Sequence, residues 1–191
     1  MPIQIGAKTH GFTDPTGLLS DCHRRIEVFL ETLAAAGKVM NEPPSEDTAR
    51  ALQTALVYFR QAAPKHTADE EESLFPRLRG RDEAELRSAL STLDRLEKDH
   101  DTISPLHAEV ERLAEAYLET GSLSASDMQA FQTAIARLQD IYREHIRVED
   151  STVFPLAARL LSEGEKAAIA QEMATRRKVP LIALEAPKAR D

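Results

Sequence analysis

Residues 66–76 read HTADEEESLFP, and residues 145–155 read HIRVEDSTVFP. Both stretches follow one pattern, H-x-x-x-E-x-x-x-[LV]-F-P, in which a glutamate follows a histidine by four residues and a Phe-Pro pair comes behind it. A repeat of this kind is typical of a chain built from two copies of one structural unit. The sequence therefore predicts two equivalent segments, each of which carries a histidine and a glutamate.

A further histidine precedes each copy of the repeat. Residues four apart on a helix lie on the same face, with about 5–6 Å between their Cβ atoms, so a histidine and a glutamate at this spacing can converge on one metal ion. Mixed nitrogen and oxygen ligands suit iron, manganese or zinc, and buried carboxylates are rare unless they are paired or bind metal. The predicted metal ligands are His23, His66, Glu70, His100, His145 and Glu149.

Apolar residues recur at helical spacing in four long segments separated by short polar connections. Asp14 and Ser124 are typical residues for a helix start, and the stretch from Ser162 to Glu165 fits a capping box for a short fifth helix. This pattern favours an all-α fold, an antiparallel up-down four-helix bundle. We expect an N-terminal arm at 1–13, the bundle at 14–161, and a short helix with an irregular tail at 162–191.

The chain is acidic, with 24 Lys and Arg against 32 Asp and Glu in 191 residues and a formal net charge of −8. Since an acidic chain without a basic stripe repels phosphate backbones, we expect no nucleic acid as a partner. The single cysteine, Cys22, cannot form an intrachain disulfide, and no apolar run approaches about 20 residues. The sequence thus predicts a cytoplasmic protein that does not enter a membrane.

Through the spacing of the six predicted ligands, the sequence resembles the hemerythrin-like (HHE cation-binding) family, whose pattern is H…HxxxE…H…HxxxE. The resemblance includes the trailing Phe-Pro pairs and covers residues 14–161. It implies a four-helix bundle with a non-haem di-iron centre, in which Glu70 and Glu149 bridge the two iron ions. By the same resemblance, one iron is bound by the first two histidines and the other iron by His100 and His145.

The third helix departs from the pattern of the oxygen-carrying members of that family, which have an HxxxH pair there. In this sequence Ser104 stands four residues after His100. The last helix also differs, because Glu149 follows its histidine by four residues where the carriers have an aspartate at five. A centre with one histidine fewer keeps more positions open, which favours reactivity over reversible carriage of O2.

Three further residues are candidates for the site. His107 begins another HxxxE pair, so a register with His107 in place of His100 stays open. The number of residues that separates His100 from the turn between the third and fourth predicted helices matches the number that separates His145 from it, which favours His100. Glu27 lies one turn after the first histidine, and a carboxylate at the helix edge is the alternative interpretation. Tyr142 lies one turn before the last histidine, and an aromatic side chain of the core is the alternative there.

The expected function is to bind or react with a small oxidant or diatomic molecule, O2, NO or H2O2, in sensing, detoxification or stress defence. An enzyme that reduces peroxide or NO is one form of this function. The alternatives are iron storage or donation for the repair of metal centres, reversible O2 carriage, and a structural zinc bundle. The expected cofactor is a pair of non-haem iron ions.

Overall fold

A computed structural model describes residues 10–81 and 84–180, with backbone alone for 84–90. All the regular structure within these ranges is helical, and two of the segments are π-helical turns. The elements are α1 (Pro15–Ala36), α2 (Glu46–Gln61), α3 (Ala63–Ala68), a π turn (Asp69–Leu74), α4 (Phe75–Arg79), α5 (Ala84–Thr120), α6 (Ala125–Val148), a second π turn (Glu149–Val153), α7 (Phe154–Leu160) and α8 (Glu163–Arg176). Residues 1–9 of the predicted arm, residues 82–83 at the expected start of the third helix, and residues 181–191 of the predicted tail lie outside the described residues.

The long helices pack as a ring, in which α1 contacts α2 and α6 while α5 contacts the same two helices. Their starts follow the sequence signals. The side chain of Asp14 accepts a hydrogen bond from the N–H of Gly17, and that of Ser124 accepts one from the N–H of Asp127. Ser162 and Glu165 form the predicted capping box of α8. The prediction of an all-α fold with a short additional C-terminal helix is therefore confirmed.

The break between α2 and α3, just before the first repeat, coincides with a proline. Pro64 lies at the start of α3, immediately after the break at Ala62, and it has no N–H for the carbonyl of Arg60. Pro105, by contrast, lies within the continuous helix α5. The helix that leads to the first repeat is therefore interrupted before the short segment on which His66 lies.

Buried apolar residues form two clusters, one on either side of the level at which the predicted ligands lie. The first cluster includes Phe29 and Phe131. The second includes Phe75 and Phe154 of the two repeats together with Met173 of α8. The ligand-bearing layer is thus enclosed along the length of the helices by apolar side chains. No helix among the residues described is long and apolar enough to cross a membrane.

Charged pairs hold α8 against the first repeat. Asp69 is fully buried, and its Oδ1 lies 2.9 Å from Nη1 of Arg176 while its Oδ2 lies 2.6 Å from Nη2 of Arg177. On the neighbouring turn, Arg77 pairs with Glu172 at 2.7 Å. A buried carboxylate that loses its partner costs about 3–5 kcal/mol, so these contacts fix the end of α8 beside the π turn that starts at Asp69.

Candidate metal centre

The structure brings all six predicted ligands together in the interior of the helical ring. They come from α1, α3, α5, α6 and the two π turns, and their side chains are between 0% and 9% exposed. Two groups have ligand atoms that lie within 4.8 Å of one another, and both groups contain Glu70. The first group is His23, His66, Glu70 and Glu149, and the second is Glu70, His100 and His145.

The two carboxylates lie between two pairs of histidines. The rings of His23 and His66 are 4.9 Å apart between centroids. The rings of the other pair, His100 and His145, are 4.7 Å apart. The side chains therefore lie in the two pairs that the family resemblance implies.

Each glutamate reaches one histidine of each pair. Glu70 places Oε1 3.1 Å from Nε2 of His66 and Oε2 3.5 Å from Nε2 of His100. Glu149 places Oε2 3.1 Å from Nε2 of His23 and 3.2 Å from Nε2 of His145. A carboxylate that reaches both pairs in this way is suited to link two metal ions.

The donor atoms of the cluster fit a metal ion and lack other partners. Although histidine Nε2 atoms lie 3.1–3.5 Å away, none of the four carboxylate oxygens of Glu70 and Glu149 makes a contact of hydrogen-bond geometry within the described residues, and neither does Nε2 of His23. Buried polar atoms without partners are rare because each costs about 1–3 kcal/mol. Imidazole nitrogens and carboxylate oxygens are suitable ligands for iron, manganese or zinc, so a cation satisfies this cluster.

Each glutamate lies in one of the π turns. The N–H of Phe75 donates to the carbonyl of Glu70, and the N–H of Phe154 donates to the carbonyl of Glu149, both five residues back. The proline after each phenylalanine has no N–H for the carbonyl four residues back, which favours the wider spacing. π turns recur at functional sites. The sequence predicted plain helix here, and the E-x-x-x-x-F-P spacing is the signal for the turn.

Three further carboxylates contact the outer nitrogens of the histidines, and sequence reasoning did not assign them. A carboxylate at Nδ1 holds the ring proton there, so that the lone pair of Nε2 points into the cluster. The contacts are His23 Nδ1 to Asp150 Oδ1 at 3.0 Å, His100 Nδ1 to Glu71 Oε1 at 2.7 Å, and His145 Nδ1 to Asp99 Oδ2 at 3.4 Å.

The sequence does hold a signal for two of these partners. Glu71 and Asp150 each follow directly the glutamate of their repeat, so the repeat contains a second acidic position. Asp99 stands next to His100 but serves the histidine of another helix. The sequence alone gives no signal for this contact, because it depends on how α5 faces α6.

Burial and mutual repulsion shift the pKa values of three groups of the cluster toward their uncharged forms. Burial raises the pKa of Glu70 well above its usual range, and the charge of Glu149 adds to the increase. Burial lowers the pKa of His66 well below its usual range, with repulsion from His23. The pKa of His100 is lowered by burial and by the neighbouring His145.

Two other groups of the cluster are shifted toward their charged forms. Burial alone would raise the pKa of Glu149, but the adjacent His145 and His23 outweigh it and lower that pKa. Burial likewise opposes the charge on His23, whose pKa is nevertheless raised by Asp150 and Glu149. Metal ligands bind in their deprotonated forms, so metal binding here displaces protons.

The structure settles the positions of the remaining candidates. His107 lies outside both ligand groups, where its Nε2 is 3.1 Å from the hydroxyl of Tyr142 and its ring packs on Phe59 at 4.3 Å between centroids. The ring of Tyr142 is 6.4 Å from that of His145. Glu27 lies at the helix edge, 3.6 Å from Arg24. The register that uses His100 is thus the one in which the side chains converge.

Ser104 is exposed, whereas its neighbour Ile103 is buried. His100 lies near the edge of the inward face of α5, so a rotation of four residues carries position 104 toward solvent and away from the cluster. Ser104 belongs to neither of the two ligand groups, and His100 is the residue that α5 supplies to them.

A family model confirms what the cluster indicates. The model of the hemerythrin HHE cation-binding domain matches residues 14–157. The chain belongs to this family, and its histidine and glutamate clusters are able to hold metal ions. The helix α8 begins beyond the matched residues. No match is found among curated proteins.

Proposed function

We propose that the six residues hold two iron ions in a non-haem centre, with Glu70 and Glu149 as the bridging ligands. The observation that carries this proposal is that each carboxylate lies within 3.5 Å of one histidine from each pair. A site for a single ion would not need two carboxylates between two separate histidine pairs. In the same proposal, the ring of long helices is an antiparallel up-down bundle, in which the two repeats supply equivalent halves.

When bound, iron supplies redox chemistry toward O2, NO or peroxide. The chain supplies ligands that are already in place and a surrounding that excludes water. Nδ1 of three histidines contacts the carboxylates of Asp150, Glu71 and Asp99. An acceptor at Nδ1 favours the ring proton there, which keeps Nε2 available for a metal ion. Two apolar clusters close the layer from both sides. The protein itself thus orients the histidine rings and excludes water from the layer of ligands.

We propose that this centre binds or reacts with a small oxidant or diatomic molecule, in sensing, detoxification or stress defence. The near-complete burial of the six side chains limits access to small molecules. One route by which a small molecule could reach the centre passes Tyr142, which lines a surface cavity of about 320 Å³ together with Glu27 and Leu30. The contact of Tyr142 with His107 then places a hydroxyl between this cavity and the interior. We place the protein in the cytoplasm, where iron is kept reduced.

The test is to mix the reduced, iron-loaded protein with about one equivalent of H2O2, O2 or NO in separate experiments. We expect loss of at least one of these molecules in proportion to iron, with the iron retained by the protein. The variant His145→Ala, folded but depleted of iron, is the control. If none of the three is bound or consumed while iron passes to an acceptor protein, the centre stores or donates iron instead.

A further inference from the structure

A cavity of about 370 Å³ lies outside the metal centre, between the start of α1, the junction of α2 with α3, and the end of α8. Its walls combine apolar side chains, including Phe12 and Leu18, with three cationic ones. The cations are Arg25, Lys65 and Arg177. The cavity therefore offers both an apolar surface and positive charge to a ligand.

Two of the three cations of this cavity, Arg25 and Lys65, have no carboxylate partner among the described residues, whereas Arg177 pairs with the buried Asp69. Among the described residues that line it there is no carboxylate, and Lys65 has no ion-pair partner in the described part of the chain. Arg25 directs one N–H to Sγ of Cys22 at 2.9 Å and also interacts with the hydroxyl of Tyr58, and neither of these partners is a carboxylate. Arg25 and Lys65 together raise the local concentration of anions at the cavity, even though the protein as a whole is acidic.

The size of the cavity indicates what kind of anion it fits. A water molecule occupies about 30 Å³ in the liquid, so the cavity is far larger than a single inorganic ion needs. Sites for small organic molecules start at about 300 Å³ and combine apolar walls with a few polar groups that fix orientation. An anionic group on a short apolar body matches both features.

The cavity is linked to the metal centre through Arg177. The guanidinium that lines the cavity also lies 2.6 Å from the buried Oδ2 of Asp69, and Asp69 directly precedes Glu70. A ligand that attracts Arg177 competes with Asp69 for the same charge. Occupation of the cavity therefore acts on the contact that holds α8 against the π turn of Glu70.

We propose that this cavity binds a small organic anion, a carboxylate or a phosphate ester, and that the bound anion weakens the hold of α8 on the turn that carries Glu70. The second part rests on the proposed role of Glu70 as a metal ligand, whereas binding of the anion does not. The expected consequence is faster loss of iron when the anion is present.

Binding is tested by calorimetry on the full chain with benzoate and phenyl phosphate, which share an apolar ring and differ in the anionic group. Benzamide, with the same ring and no charge, is the matched control ligand, and sulfate is the control for charge without an apolar body. We expect binding of at least one ring anion and weaker binding of both controls. If benzamide binds as tightly as the two anions, or if neither anion binds, the site is overturned.

Variants locate the binding. Loss of a charge-assisted hydrogen bond weakens an interaction by about tenfold to a hundredfold, so we expect this loss in Arg25→Gln. Arg137→Gln, which removes a positive charge at another cavity of the surface, should bind as the wild type does. Equal affinity in Arg25→Gln and the wild type would contradict the assignment. The variant His145→Ala should still bind the anion, which separates this site from the iron centre.

The link to the centre is tested by the rate at which a chelator removes iron. We expect the saturating ring anion to raise this rate severalfold in the wild type. Arg177→Gln, which lacks the shared guanidinium, should lose iron quickly with or without the anion. An unchanged rate in the wild type under saturation would refute the coupling, even where calorimetry confirms binding.

Discussion

The contact between Asp150 and His23 gives the sharpest test of how the chain prepares its ligands. His23 is fully buried, and its Nδ1 lies 3.0 Å from Oδ1 of Asp150. The same oxygen accepts a hydrogen bond from Ser20 at 2.6 Å, and the other carboxylate oxygen pairs with Arg24. Asp150 is thus held in place by Ser20 and Arg24 while it fixes the ring of His23.

The expected loss of iron affinity follows from these contacts. In Asp150→Ala, the buried N–H of His23 loses its acceptor, at a cost of about 1–3 kcal/mol, and loss of such a partner typically weakens metal binding about tenfold to a hundredfold. Asp150→Asn keeps an oxygen acceptor but loses the charge. Since charged hydrogen bonds are roughly twice as strong as neutral ones, we expect about half of that free-energy loss in the amide variant.

Anaerobic competition for Fe(II) with a chelator of known affinity measures the effect. Asp140→Asn is the matched control, because Asp140 is 73% exposed and pairs with Arg143 on the surface of α6. Circular dichroism confirms that each variant is folded. If Asp150→Ala binds iron within twofold of the wild type, the argument that Asp150 orients His23 is wrong.

Three further changes test other parts of the structure. Burial lowers the pKa of His107 to about 4, below its value of about 6.5 in the unfolded chain, so the neutral side chain contributes stability above pH 6.5 that is lost as the pH falls toward 4, by up to about 3 kcal/mol. Between pH 7 and pH 4, the free energy of unfolding measured with denaturant should therefore fall less in His107→Gln than in the wild type. An equal fall in both proteins would contradict this. Asp69→Ala leaves Arg176 and Arg177 without their buried partner and should lower the free energy of unfolding by about 3–5 kcal/mol, measured against the exposed Asp140→Ala. Pro155→Ala restores a backbone N–H after the second π turn, and it should reduce iron affinity because Glu149 is displaced. Full iron affinity in this variant would refute the argument that the π turn positions Glu149.

The ligand positions and helices that could be predicted are those that follow from the helical spacing of residues and from the internal sequence repeat. The step of four residues between His66 and Glu70 places both on one face, and the repeat doubles this pair at His145 and Glu149. The apolar stripes predicted the long helices, and their capping residues predicted where α6 and α8 begin. These features are local, so they can be read without knowing how the helices pack.

The features that could not be predicted depend on the relative rotation of packed elements. Asp99 neighbours one ligand and contacts another, because α5 turns that side chain toward α6. Ser104 is exposed, since the buried line of α5 runs through Ile103. The pairing of Asp69 with Arg176 and Arg177 at the end of α8 spans more than a hundred residues of chain and carries no periodic signal.

The most direct test of the central claim is the metal content of the full chain purified from iron-replete cells. The account predicts two iron ions per chain in the wild type and loss of most of this iron in His145→Ala, since His145 is buried beside Glu149. The exposed variant Asp140→Asn should retain both ions. One zinc ion per chain, or iron that stays bound in His145→Ala, would contradict a two-iron centre built from these six residues.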